Sequence, residues 1–117
     1  MTDAAELLRR YYDAVWVAGR IEALDELLSP DYRDHDAPAG YGADRESARR
    51  LAADFMAGVR DPQLEVLALV ATGDAAAAHW QFEWTAPDGG RVRLRGSDLI
   101  RAAGGRIAEI HHVERRL

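Results

Sequence analysis

The first stretch of the chain carries apolar residues at three- and four-residue spacing, which is typical of a helix with one wide apolar face. They are Leu7, Leu8, Tyr11, Tyr12, Val15 and Trp16. Either Thr2 or Asp3 can cap the start of this helix through a side-chain oxygen. The pattern predicts that the helix runs to about Ala18 and ends at Gly19.

Two further helices are predicted before the middle of the chain. The segment "RIEALDELLS" has helical spacing and stops at Pro30, which cannot continue a helix. The segment "DRESARRLAADFMAGV" begins at a capping Asp44 and carries Glu46 in its first turn, where a negative charge is favourable. Between them, "DYRDHD" predicts a short strand and "APAGYG" predicts a loop.

From Pro62 onward the apolar pattern changes to a period of two, which indicates strands. Four extended runs, separated by short glycine turns, predict an antiparallel meander: "QLEVLALVAT", "AAAAHWQFEW", "RVRLRGSDLIRA" and "RIAEIHHVERR". Helices followed by an antiparallel sheet define the α+β class. We therefore predict one domain over residues 1–117, with three N-terminal helices on a strongly curved, mainly antiparallel sheet that encloses a cone-shaped pocket.

The alternation of side chains along the third run places a carboxylate on an apolar face. Successive residues of a strand point to opposite sides, so Asp98 shares its side with Val92, Leu94 and Ile100. Charged side chains are rarely buried without a partner. Asp98 therefore either lies near an open end of the sheet or serves a pocket, and the pocket is the favoured interpretation.

The last run contains two adjacent histidines, His111 and His112, which must point to opposite sides of the sheet. A three- or five-residue turn before this run would place His112 beside Asp98, whereas a two- or four-residue turn would place His111 there. The segment "AAGG" is compatible with a three-residue turn. From the residues alone, both alternatives stay open.

Composition removes several kinds of chemistry. The chain has no cysteine, and all 15 basic residues are arginines, so thiolate and Schiff-base catalysis are excluded. The net charge of −5 gives no basic surface for nucleic acid, and no apolar run is long enough to span a membrane. No signal peptide is apparent, which predicts a cytoplasmic protein.

Metal binding is not predicted by the pattern of ligand residues. The adjacent histidines diverge, and "DYRDHD" offers Asp31, Asp34, His35 and Asp36 in a segment typical of a solvated strand end. We therefore expect no metal site and no cofactor.

Three segments resemble a known family: "YYDAVWVAGRIEALDELLSPDYRDH", "PDGGRVRLRGSDLIR" and "GGRIAEIHHV". They are similar to the SnoaL-like polyketide cyclases of the nuclear transport factor 2-like superfamily, which also contains the ketosteroid isomerases. The resemblance covers nearly the whole chain. It implies a curved sheet and three helices around a deep apolar pocket, commonly in a homodimer.

The resemblance also implies site residues. In the cyclases an aspartate on the last strand is the acid/base of an intramolecular aldol closure, with a histidine on the preceding strand. These positions fall on His112 and Asp98, so the two residue types are exchanged and His112 is expected to face inward. In the isomerases the helix tyrosine, the base aspartate and the hydrogen-bonding aspartate correspond to Tyr12, Asp36 and Asp98.

The leading functional hypothesis is an isomerase or cyclase that moves protons next to a carbonyl by general acid/base chemistry. His112 or Asp36 would be the base, and Tyr12 and Asp98 would donate to the developing oxyanion. An apolar or polycyclic small molecule would bind against the apolar walls, which are Trp16, Phe55, Trp80, Phe82 and Ile110. The alternative is a non-catalytic ligand-binding or dimerisation module of the same fold.

Two structural expectations follow. A homodimer is expected through the outer side of the sheet, because Leu67, Leu69 and Leu99 are predicted to point outward. Inside the pocket, Asp98 and His112 are expected to form an ion pair or a strong hydrogen bond, which would make them titrate as a coupled unit.

Overall fold

The computed structural model describes residues 3–117, and within them helices cover one side of a five-stranded sheet. Helix α1 spans Ala4–Tyr11 and continues as a wider π-helical segment over Tyr12–Val17. A single 3₁₀ turn, Ile21–Ala23, leads into the short α2, Leu24–Leu27. Helix α3 spans Arg45–Met56.

Capping side chains begin the two longer helices, as the sequence predicts. The Asp3 carboxylate accepts hydrogen bonds from the backbone N–H groups of Ala5 and Glu6, at 3.0 and 3.3 Å. Thr2, the alternative cap, lies outside the described residues. At α3, Asp44 accepts from the backbone N–H of Ser47 at 3.3 Å. Each cap satisfies amide groups that have no partner inside the helix.

The second helix is shorter than predicted, because the chain enters the sheet before Pro30. Strand β1 spans Leu28–Asp34 and pairs in parallel with the last strand, so that Leu28 lies opposite Ile107. Burial of Leu28 in the sheet outweighs the weak helical preference of so short a segment. Pro30 is tolerated because β1 lies at an edge of the sheet.

The remaining strands form the predicted antiparallel meander. They are β2 (Arg60–Thr72), β3 (Ala75–Thr85), β4 (Arg91–Ala103) and β5 (Arg106–Arg116). The sheet order is β1-β5-β4-β3-β2, and only the β1–β5 pairing is parallel. Helices on one side of this mixed sheet confirm the α+β prediction.

A bulge in β2 overturns one predicted side-chain direction. Val66 pairs with Trp80 and Ala68 pairs with His79, so Leu67 is an extra residue. The alternation therefore shifts after Leu67. Leu69, predicted to point outward, packs against the core instead.

The buried apolar residues of the described chain form a continuous cluster between the helices and the inner face of the sheet. Its most fully buried large members are Leu8, Val15, Leu24, Leu28, Ile100 and Ile107. In the part of the chain that the structure describes, no helix is long and apolar enough to cross a membrane. The open end of the curved sheet leaves a cavity beside this core, and that cavity holds most of the predicted site residues.

Candidate active site

The turn between β4 and β5 sets the register in which the pairing of these two strands begins. It consists of Gly104 and Gly105, which connect the facing residues Ala103 and Arg106. Both glycines have positive φ, 59° and 80°, the conformation that tight two-residue hairpin turns require. The turn is therefore one residue shorter than the three-residue turn that the sequence allows.

A continuous ladder from this two-residue turn would place His111 opposite Asp98. The ladder instead contains a bulge at Ala108, which has no partner on β4, and the pairing shifts by one residue. His112 consequently lies directly opposite Asp98, on the inner face, and His111 lies on the outer face. The bulge, rather than the length of the turn, brings these two residues together.

The inner cavity has a volume of about 290 Å³ and is lined mainly by aromatic side chains. The predicted residues that line it are Tyr12, Trp16, Phe55, Trp80, Phe82, Asp98, Ile110 and His112. Neighbouring rings touch along the wall: Trp16 packs edge-on against Phe55, with centroids 5.7 Å apart, and Phe55 meets Phe82 at 6.2 Å. The cavity is thus apolar, apart from a few polar groups that converge on it.

One of these polar groups is the carboxylate of Asp98, which is buried with 8% of its surface exposed. The Tyr12 hydroxyl donates to its Oδ2 at 2.7 Å, and the Trp80 indole N–H donates to the same oxygen at 3.1 Å. Within the described residues, Oδ1 has no hydrogen-bond donor. Burial raises the pKa of Asp98 to about 6, although the Tyr12 hydrogen bond and the charge of His112 act in the opposite direction.

Gly96 makes room for the Trp80 ring that holds Asp98. The two residues face each other across β3 and β4, and the indole lies over the glycine. A Cβ atom at Gly96 would come within 2.5 Å of the Trp80 ring and 2.7 Å of the Val113 carbonyl oxygen. A side chain at this position would therefore displace the indole and weaken its bond to Asp98.

His112 is held between two carboxylates other than Asp98. Its Nε2 lies 3.0 Å from Asp34, and its Nδ1 lies 2.9 Å from Glu114. The hydrogen bond to Asp34, followed by that to Glu114, raises the pKa of His112 to about 10. The ring is thus an imidazolium at neutral pH, and both of its N–H groups are engaged.

The expected ion pair between Asp98 and His112 is therefore wrong. The two side chains line the same cavity, but their hydrogen bonds go to different partners. The charge of His112 still lowers the pKa of Asp98. Asp98 and His112 thus influence each other through their charges alone. Tyr12 and Trp80 orient Asp98, and Asp34 and Glu114 orient His112.

Asp36, the other predicted base, does not line the cavity, and this placement is also a correction. Strand β1 ends at Asp34, and the backbone N–H of Asp36 donates back to the Asp34 carboxylate at 2.8 Å. This tight turn directs the Asp36 side chain outward, where it accepts from the backbone N–H of His112 at 2.9 Å. Asp34, the last residue of β1, lines the cavity instead.

Four polar cavity residues were not predicted as site residues: Tyr11, Tyr32, Asp34 and Glu114. Tyr32 precedes Asp34 by two residues and Glu114 follows His112 by two, so each pair shares one side of its strand. Alternation around the predicted His112 could therefore have found Glu114, whereas Tyr32 shares its side of β1 with Asp34, which was itself not predicted. Burial raises the pKa of the Tyr11 and Tyr32 hydroxyls, which stay protonated at neutral pH.

Possible metal ligands lie elsewhere. Among the described residues, His35, Glu109 and His111 bring ligating atoms within 4.8 Å of one another, and none of the three lines the cavity. The cavity itself offers carboxyl, imidazole and phenol groups, which are the groups used for acid/base chemistry.

Fold and site together define a class of protein: a helix-covered curved sheet whose aromatic cavity carries buried acid/base groups. A model of the SnoaL-like domain matches residues 8–110. The chain belongs to the SnoaL-like domain family, as its resemblance to the SnoaL-like cyclases implies. No curated protein matches the chain in sequence.

Solved structures support the same fold. A candidate polyketide cyclase from Bacillus cereus is 25% identical, with a TM-score of 0.82, over 92% of this chain and 71% of that one. IdmH, a candidate polyketide cyclase from Streptomyces antibioticus, is 23% identical, with a TM-score of 0.81, over 96% and 91% of the two chains. AclR, a candidate hydroxylase from Streptomyces galilaeus, is 21% identical, with a TM-score of 0.74, over 96% and 80%. The fold therefore occurs with more than one assigned reaction, and function must be argued from the site.

Proposed function

We propose that the protein is an acid/base enzyme of the cyclase type, which removes a proton next to the carbonyl of a small, neutral, largely apolar compound. The proposal rests on the environment of the Asp98 carboxylate. This carboxylate lies in an aromatic cavity and has a pKa of about 6, and one of its oxygens has no donor among residues 3–117. A base works best when its pKa lies near the operating pH, and burial has raised the pKa of Asp98 toward that pH.

The roles proposed here differ from those implied by the resemblance. Asp98, rather than His112 or Asp36, is the base, and Tyr12 is a positioning residue because its hydroxyl is already donated to Asp98. His112 supplies a fixed positive charge. Asp98 Oδ1 takes the proton from the α-carbon, and the C–H electron pair forms the enolate double bond.

The negative charge that develops on the carbonyl oxygen needs a donor. Tyr11 and Tyr32 line the same cavity, and burial keeps their hydroxyls protonated. We assign the oxyanion contact to these two hydroxyls. In a cyclisation, the enolate carbon would then attack a second carbonyl of the same molecule, and the proton taken by Asp98 would return to the new alkoxide.

Size and charge restrict the ligand. The volume of about 290 Å³ is at the lower end of the range for ligand pockets, which favours one or two rings over a larger polycycle. Three carboxylates line the cavity, Asp34, Asp98 and Glu114, against one imidazolium. An anionic ligand is therefore disfavoured, and a neutral aromatic ketone fits best.

The test is catalysed exchange of α-hydrogens in D₂O, followed by proton NMR with 2-tetralone, a neutral two-ring ketone. We expect the wild-type protein to accelerate exchange, and Asp98→Asn to lose about 100-fold of that acceleration, the usual contribution of a general base. Glu65→Gln is the matched control, because Glu65 is an exposed carboxylate on the opposite side of the sheet.

Ligand binding is measured in parallel by fluorescence, because Trp16 and Trp80 line the cavity. A ketone that quenches this fluorescence without any exchange above the solvent rate would contradict the enzyme proposal. It would favour the alternative, a non-catalytic ligand-binding domain. Equal exchange by wild type and Asp98→Asn would remove Asp98 from the mechanism.

A further inference from the structure

Outside the cavity, two histidines and a glutamate meet at the corner where β1 ends beside β5. We call His35, Glu109 and His111 the outer cluster. Asp34 pairs with Ile110, and the His35 backbone N–H donates to the Ile110 carbonyl at 3.0 Å, which brings His35 alongside β5. The parallel pairing of β1 and β5 thus assembles the outer cluster from distant parts of the chain.

The side chains of the outer cluster are in close contact. His35 Nε2 lies 2.7 Å from a Glu109 oxygen, and the imidazole rings of His35 and His111 stack with centroids 4.1 Å apart at an angle of 3°. Glu109 and His111 are two residues apart on β5, so both point to the outer side. The three residues offer two imidazole nitrogens and one carboxylate oxygen, all within 4.8 Å.

We propose that the outer cluster binds a divalent transition-metal ion of the zinc type, with His35, Glu109 and His111 as its three protein ligands. Imidazole nitrogen and carboxylate oxygen are ordinary zinc ligands, and three of them with water in the fourth position make a common site. The ion would replace the hydrogen bond between His35 Nε2 and Glu109, and His35 would then carry its proton on Nδ1, which leaves the Nε2 lone pair for the metal.

Surrounding charge favours a cation at this corner. An Asp36 oxygen lies 3.9 Å from His111 Nδ1 and adds a second carboxylate beside the outer cluster. Arg101 works against binding, since its Nε lies 3.9 Å from the other oxygen of Glu109. Arg101 also bonds Asp74 at 2.9 Å, which offers it a second partner when Glu109 turns toward a metal.

Binding requires a small rearrangement. Ligand atoms around tetrahedral zinc lie roughly 3.3 Å apart, given bond lengths of about 2.0 Å, so the outer cluster must contract. The stacked rings must also open, because two imidazoles cannot direct their lone pairs at one ion while lying face to face. The side chains have room to move, with exposed fractions of 29% for His35, 41% for Glu109 and 53% for His111. We therefore expect micromolar rather than nanomolar affinity.

Calorimetry with zinc chloride, on the full chain without an affinity tag, tests the proposal. We expect one ion per chain and no heat with magnesium chloride, because magnesium prefers oxygen ligands. His111→Gln and Glu109→Gln should each weaken zinc binding by about tenfold or more. His79→Gln is the control: His79 is exposed on the same side of the sheet but bonds Ser97.

Histidine NMR locates the ion independently of the variants. The chain has four histidines, and zinc should shift the signals of His35 and His111 while leaving His79 unchanged. Either unaltered affinity in His111→Gln and Glu109→Gln, or the absence of binding to wild type at about 100 µM zinc, would overturn the proposal. So would a shift confined to His79 or His112.

Discussion

The adjacent residues His111 and His112 lie in two different environments. His112 faces the cavity, where Asp34 and Glu114 fix its ring and hold its charge. His111 faces outward, half-exposed, with its ring stacked on His35. The two residues are both histidines and are adjacent in the chain. Their different properties therefore come from the side of the strand on which each lies and from the side chains packed against that side.

The same contrast holds for the whole sheet. The inner face contributes Trp80, Phe82 and Asp98 to the aromatic cavity. The outer face exposes apolar side chains, with exposed fractions of 42% for Leu67, 69% for Val70, 46% for Leu99 and 70% for Val113. Chemistry is thus expected on the inner side, and contacts with other molecules on the outer side.

The largest expected effect comes from filling the space beneath Trp80. Gly96→Ala should lower the free energy of unfolding by about 3 kcal/mol, because the new methyl group would overlap both the indole ring and the backbone of β5. Denaturant unfolding measures the change. Gly58→Ala is the matched control, since its Cβ would meet its nearest atom, in Pro87, at 3.9 Å, and it should cost far less.

The ionised carboxylate of Asp98 should lower the free energy of unfolding at neutral pH, where it is proposed to act as the base. Its folded pKa of about 6 exceeds the ordinary 3.8, so the folded state holds the proton more tightly and stability falls as pH rises between these values. At pH 8, Asp98→Asn should therefore raise the free energy of unfolding by about 2 kcal/mol. This is somewhat less than the free energy that corresponds to the whole difference between the folded and the ordinary pKa. The gain should disappear at pH 4, and an equal gain at both pH values would contradict this account.

The pH dependence of exchange should report the same carboxyl group. Between pH 8 and pH 5 the 2-tetralone exchange constant should fall by about tenfold, with its midpoint near the Asp98 pKa of about 6. The base is lost as it becomes protonated, so activity decreases toward acid pH. A flat profile over this range would show that another group removes the proton.

The smallest effect on the chemistry should come from the outer face. We propose that the protein forms a homodimer through this face, and Val113→Arg should then weaken dimerisation by about tenfold while leaving exchange unchanged. Sedimentation at micromolar concentration provides the measurement. Val17→Arg is the control, because Val17 is an exposed apolar residue on the helical side. A wild-type protein that sediments only as a monomer would end the proposal.

Local pattern in the sequence was sufficient for the class of fold and for the position of Asp98 on the inner face of the sheet. The helical spacing of the first half and the alternation of the second half predict the α+β architecture that the structure confirms. Alternation also places Asp98 among apolar residues on its strand. These inferences succeed because they depend on residues a few positions apart, and burial of one continuous face enforces them.

Tertiary structure decided what lies beside Asp98 and what does not. The bulge at Ala108 selects His112 over His111, and the end of β1 places Asp34 in the cavity and leaves Asp36 outside. The contact between His35 and His111 arises only because β1 pairs with β5. A bulge or a strand end is set by how distant segments pack and pair, so no local period in the sequence records it.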